Sequence, residues 1–141
     1  MRLGRKLGVL VLGLVACGPK ESPEERITRL RLAHEVQPTA VQVRQTPEGP
    51  QLVLDFLVVN KGREVLPTLT VKVIIVAANG QDRATHLVSL DTAQLRPGVA
   101  SQLTALLWGE TLQPGEQVRV EVEGRVSPES RAHYPEFGGR P

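Results

Sequence analysis

From residue 27 onward the chain alternates apolar and polar positions in short runs cut by Gly, Pro and Asn. The clearest run is 52–59, where Leu52, Leu54, Phe56 and Val58 point one way and Val53, Asp55, Leu57 and Val59 the other. A period of two is the mark of a β-strand, because successive side chains leave opposite faces. The same period predicts strands over 69–77, 101–108 and 117–123, and a shorter one over 85–90. Upstream, Leu30 and Leu32 alternate with Arg29 and Arg31, which favours a strand over 27–36 although Glu24 and Glu25 would suit a helix start. Pro38 is expected to end that strand, and Val41 and Val43 to carry another over 39–45. Turn clusters separate the runs: Pro47-Glu48-Gly49-Pro50, Asn60-Lys61-Gly62, Asn79-Gly80, Arg96-Pro97-Gly98 and Gln113-Pro114-Gly115. Seven to eight short strands so punctuated predict an all-β, antiparallel sandwich.

The first 17 residues follow a different rule. Arg2, Arg5 and Lys6 precede an apolar run over 7–15, and the small residue Ala16 leads to Cys17. Charge, apolar core and small residue in that order make a secretory signal peptide. The run is shorter than the roughly 20 residues needed to span a bilayer. A helix is expected over 3–15, packed on nothing. Leu14-Val15-Ala16-Cys17 resembles the lipobox of bacterial lipoproteins. The resemblance implies cleavage between Ala16 and Cys17, a diacylglycerol on the Cys17 thiol, and acylation of the new amino group in Gram-negative members. Two or three acyl chains would make attachment effectively permanent, since each buried CH₂ contributes about 0.8 kcal/mol. Cys17 is the single cysteine, so it has no disulfide partner within the chain, and an orphan thiol is a poor alternative in an exported protein.

This leader also changes the charge balance. Three of the 17 basic residues precede Cys17, leaving 14 against 15 acidic ones, so the calculated basicity offers no argument for a nucleic-acid partner. The expected organisation is a signal peptide over 1–16, a lipidated cysteine and flexible tether over 17–26, a β-sandwich over 27–126 and a disordered tail over 127–141. The tether reading rests on Pro19, Pro23 and the lack of core-forming residues. The tail reading rests on Pro128, Pro135, Gly138 and Gly139. Over 51–123, the order of strands, Asn-x-Gly, Asn-Gly and Pro-Gly turns is similar to the immunoglobulin-like modules of bacterial envelope proteins, loosely of the FxLYD type. That module's own signature residues are absent, as is the Cys–Trp–Cys core of antibody domains.

Candidate chemistry is sparse. His34, His86 and His133 lie on separate segments without a second ligand at metal spacing, so no metal or other cofactor is expected. No serine stands in a nucleophile elbow, which argues against a familiar hydrolase. Asp55 interrupts an apolar run, and Asp82 and Asp91 are its only imaginable companions; a solvated face or a hydrogen bond to a loop is the preferred account. Of the four aromatic residues, Phe56 is assigned to the core, and Tyr134 and Phe137 to the tail. Trp108 is left as either a core cap or a surface anchor.

The second faces of the two strongest strands carry Val53, Leu57, Val59, Ile74 and Val76, more apolar than a wet face should be. Either other chain segments cover them, the favoured reading, or they form, with Trp108, an interaction surface. These features predict a non-catalytic interaction or accessory module. It would be held to the membrane by Cys17 and meet another envelope protein, either through a sheet edge or through that outer face. The alternatives are a carrier of a small hydrophobic ligand between the sheets, or a hydrolase whose site assembles only in three dimensions. Gly18 is not the Asp that retains Gram-negative lipoproteins at the inner membrane, so outer-membrane sorting is the expectation in a two-membrane cell.

Overall fold

The computed structural model describes residues 20–131 and residue 134; the expected leader helix, Ala16, Cys17, His133 and Phe137 lie outside the described residues. The first element is a helix, α1, Pro23–Leu32. This corrects the expected strand over 27–36, and it starts inside the segment assigned to the tether. Its causes are local. The Ser22 side chain caps the Glu25 amide at 3.1 Å, and Pro23 stands in the first turn, where a missing N–H costs nothing. Glu24 and Glu25 occupy the positive end, Arg29 and Arg31 the negative end. Helical spacing, not period two, decides burial: Ile27, Leu30 and Arg31 turn inward while Leu32 is 61% exposed.

Six strands follow among the described residues: β1 His34–Thr46, β2 Gly49–Asn60, β3 Thr68–Val76, β4 Asp82–Asp91, β5 Ala100–Trp108 and β6 Gln117–Val122. A last helical turn, α2, covers Pro128–Arg131. The expected seven to eight strands become six because the one expected over 27–36 is taken up by α1 and by the start of β1, which runs through Pro38 instead of ending there. The chain tolerates Pro38 because β1 is an edge strand whose register shifts between Pro38 and Ala40.

The strands form two antiparallel three-stranded sheets, in the orders β1-β2-β5 and β4-β3-β6. Two hairpins, β1–β2 and β3–β4, sit one in each sheet; the chain crosses between sheets after β2, β4 and β5. Gly49 (φ 121°) and Gly80 (φ 89°) supply the left-handed backbone at the hairpin turns, where a Cβ would be strained. Leu52, Leu54, Phe56 and Val58 of β2 face Leu69, Val71, Val73 and Ile75 of β3, all fully buried, in a single core. Burying each contributes about 1.5–3 kcal/mol. Ile27 and Leu30 of α1 join the same core, together with Leu66, Leu95 and Tyr134.

Asn60 ties the connections together. Its side-chain amide donates to the Glu64 and Leu95 carbonyls at 2.9 and 3.0 Å, and its Oδ1 accepts from the Gly62 amide at 2.9 Å. The loop after β2 and the loop after β4 are thus fastened to one fully buried side chain.

The segment assigned to the disordered tail is also corrected where it is described. Tyr134 is buried, and its hydroxyl donates to the Thr68 carbonyl at 2.7 Å. Beside it the Arg31 guanidinium, buried as well, lies 5.8 Å from the ring centroid and donates to the Arg125 carbonyl at 2.7 Å.

Candidate functional site

Directly opposed residues of an antiparallel ladder share a face, so register alone assigns the outer surface of the β1-β2-β5 sheet. Its rows are Arg44–Gln51–Trp108, Gln42–Val53–Leu106, Ala40–Asp55–Thr104, Gln37–Leu57–Gln102 and Glu35–Val59–Ala100. Trp108 is 62% and Leu106 45% exposed, two residues apart on one face of β5, while Val53, opposite Leu106 on β2, is only 8% exposed. Together they form an apolar strip at one end of the sheet. Gln51 is buried between Arg44 and Trp108; its Oε1 accepts from Arg44 Nε at 3.1 Å and Nη2 at 2.5 Å. At the other end, Leu57 and Val59 line a shallow depression of about 460 Å³ with Glu35, Val36 and Gln37.

Between these ends sits Asp55. Thr104 Oγ1 donates to its Oδ1 at 2.7 Å, so the carboxylate bonds across to the neighbouring strand and not to a loop. Asp82 lies against Arg119 on the other sheet, and Asp91 accepts from the Ala93 amide. The three carboxylates are each engaged separately. Among the described residues no three His, Cys, Asp or Glu side chains converge as metal ligands would.

The structure divides the sequence-predicted surface. Val53, Leu57, Val59 and Trp108 share the outer face of the first sheet, whereas Ile74 and Val76 lie on the outer face of the second, across the molecule. The single patch proposed from sequence does not form, because β2 and β3 belong to different sheets. Ile74 is covered by the protein itself. Arg119 on β6 reaches Asp82 on β4 at 3.4 Å, and β3 lies between those strands, so the arginine arm crosses over Ile74 and Val76. Trp108 resolves as a surface residue. Leu106 was missed from sequence, although its spacing of two from Trp108 was the available signal.

A charged cluster closes the opposite edge. Arg83 Nε meets Glu116 at 2.6 Å, its Nη2 meets Glu110 at 3.1 Å, and it also donates to the Thr111 carbonyl. His86 Nε2–H donates to the second Glu110 oxygen at 2.8 Å. Burial alone would push the Glu110 carboxyl up, but His86, the Thr111 amide and Arg83 together hold it below the usual carboxylate range. Glu116 is held low chiefly by Arg83. Both carboxylates are spent fastening the β5–β6 connection to β4. A lowered folded-state pKa means the unfolded chain takes up protons first, so this contribution is present above the ordinary carboxylate range and lost as pH falls through it. Thermal midpoints should therefore drop on acidification, and Glu110→Gln should make that acid limb shallower. An unchanged limb in Glu110→Gln would remove Glu110 from the account.

His34 is buried at the α1–β1 junction, where its Nδ1–H donates to the Leu30 carbonyl at 2.7 Å. Burial lowers its pKa against that bond, which keeps the ring neutral in a structural role.

No protein-family model, curated protein or solved structure matches this chain. Among the described residues no helix is long and apolar enough to cross a membrane.

Proposed function

We propose that the protein is a lipid-anchored lipoprotein of the bacterial cell envelope, carrying one immunoglobulin-like domain that acts as a non-catalytic interaction module. The anchor half of the reading rests on the order of Arg2, Arg5 and Lys6, the apolar run, and Leu14-Val15-Ala16-Cys17. The immunoglobulin-like half is supported by strand pairing: two hairpins, one per sheet, followed by one strand returned to each sheet. Outer-membrane placement in a two-membrane cell follows from Gly18 after the cysteine.

The observation that carries the interaction reading is the Trp108–Leu106–Val53 strip on the outer face of the first sheet. A large amphipathic ring standing exposed beside a leucine is the composition of a binding hot spot, with Arg44, Gln42 and Thr104 as a polar rim. The partner is another envelope protein offering a complementary apolar patch.

The ligand-carrier alternative finds less support. Depressions lie on the outside, such as one of about 600 Å³ lined by Glu24, Glu25, Thr28, Arg29, Leu32 and Ala33. It does not touch Leu54, Phe56, Val73 or Ile75, the residues between the sheets.

Chemical crosslinking in intact cells, followed by mass spectrometry of the purified lipoprotein, tests the surface. The wild type should recover one partner in stoichiometric yield, and Trp108→Arg or Leu106→Arg should reduce that yield about tenfold or more, as expected for hot-spot loss. Leu87→Arg, on the outer face of the other sheet, should leave it unchanged. Equal recovery with all four proteins, or no stoichiometric partner, would refute the assignment.

A further inference from the structure

Among the described residues, strand β6 ends its sheet with one edge unpaired. The Glu123 amide donates to the Thr70 carbonyl at 2.9 Å, and the register places Thr70 opposite Glu123. In an antiparallel ladder such bonded pairs alternate with pairs whose backbone groups point away. Gln117, Arg119 and Glu121 therefore aim their N–H and C=O groups at β3, while Val118, Val120 and Val122 aim theirs at the free edge. An edge of this kind is a template for another strand unless something blunts it. Edge strand β1 is blunted by Pro38 and its bulge; β6 carries neither proline nor bulge.

The opposite layer shows the same gap. Val41 and Val43 of β1 pair with Leu54 and Leu52, and so point into the sandwich with those fully buried leucines. Yet they remain 36% and 39% exposed. β1 packs on β6 across the two layers, so these part-exposed valines belong to the strand that faces β6.

The sequence of β6 identifies the occupant. Gln117-Val118-Arg119-Val120-Glu121-Val122 alternates outward polar residues with inward valines. Two copies laid antiparallel about Val120 place Arg119 of each opposite Glu121 of the other, and Val118 of each opposite Val122. The same register brings the outward backbone groups of Val118, Val120 and Val122 face to face in both copies. Charge, apolar face and hydrogen-bonding parity all agree in one register, and a shift by one residue would lose all three.

We infer that the protein dimerises through antiparallel pairing of β6 with β6 of a second copy, joining the two β4-β3-β6 sheets into one six-stranded sheet. This edge is separate from the Trp108 face, so a dimer leaves both copies of that face open to a partner.

The test is the mass of the full chain, purified in detergent, by sedimentation equilibrium. The wild type should be a dimer. Arg119→Glu and Glu121→Arg should each weaken dimerisation about tenfold or more, since each creates two like-charged cross-strand pairs, and the double swap should restore it. Val120→Pro should give a monomer, because it removes an outward N–H while the bonds to β3 use its neighbours. Trp108→Arg should leave the dimer intact. A wild type that stays monomeric throughout the concentration range, or a dimer indifferent to the single charge swaps, would overturn the proposal. If Val120→Pro fails to fold, Glu121→Arg still decides, because Glu121 lies on the solvent face and its ion pair stays within β6, whereas Arg119 also holds Asp82.

Discussion

Replacing Cys17 by serine is expected to abolish lipid attachment completely. In cells fed labelled palmitate the wild type should incorporate label, and Cys17→Ser should incorporate none. The variant should also persist as a longer species that keeps its leader, because in lipoproteins acylation of the thiol precedes cleavage. The size of the effect follows from there being one cysteine in the chain: no second thiol can substitute. Under the proposed function, acyl chains, at about 0.8 kcal/mol per buried CH₂, would confine the domain to a membrane surface. Confinement would raise the effective concentration of any partner held at the same surface, so that a modest patch such as Trp108–Leu106 would suffice for occupancy. Label retained in Cys17→Ser, or normal processing of that variant, would show that the anchor lies elsewhere.

The largest loss of stability short of deleting core residues is expected at Asn60. Asn60→Ala removes two donors and one acceptor at a fully buried position, leaving the buried Leu95 carbonyl unsatisfied. An abandoned buried polar group costs about 1–3 kcal/mol, so the expected loss is about 3 kcal/mol, or roughly 10 °C in thermal midpoint. Asn60→Asp should be no better: it keeps the acceptor for the Gly62 amide but turns a carboxylate oxygen toward the Glu64 and Leu95 carbonyls. Asn79→Ala is the comparison, because the Asn79 side chain accepts from the Gln81 amide at an exposed turn, and it should cost under about 1 kcal/mol. Circular dichroism melts of the three variants measure this ordering. Equal, small shifts would mean that the two loops hold without Asn60.

The strands were legible wherever core-facing apolar residues recur at every second position. β2 and β3 read correctly because Leu52 to Val58 and Leu69 to Ile75 each supply four alternate apolar residues. The helix was not legible by that rule, because Leu30 and Leu32 mimic a strand. Its signals were the Ser22-Pro23 start and the acid-to-base order of Glu24, Glu25, Arg29 and Arg31. Pro38 misled for the opposite reason: proline breaks a paired central strand, but an edge strand absorbs it with a bulge. Tyr134 was hidden among prolines and glycines; in the fold the Thr68 carbonyl meets its hydroxyl, the Arg31 guanidinium lies over its ring and the core packs around it.

The candidate surface was half legible. Alternation identified Val53, Leu57 and Val59 as an outer row, but periodicity carries no information about which strands share a sheet. Ile74 and Val76 were therefore grouped with residues on the far side. Pairing also separates two kinds of exposed apolar residue. Trp108 and Leu106 lie on the outer face of the β1-β2-β5 sheet, whereas Val41 and Val43 lie on the inner face of the same sheet, at its β1 edge.

The proposed function depends on this chain working at a membrane surface. Intact-mass analysis of the protein extracted from bacterial membranes tests that assumption most directly. The expected mass is that of a chain beginning at Cys17, increased by a diacylglyceryl group and, in a Gram-negative host, by one further acyl chain. A mass corresponding to the full chain with its leader, or to a processed chain released without added lipid, would contradict it.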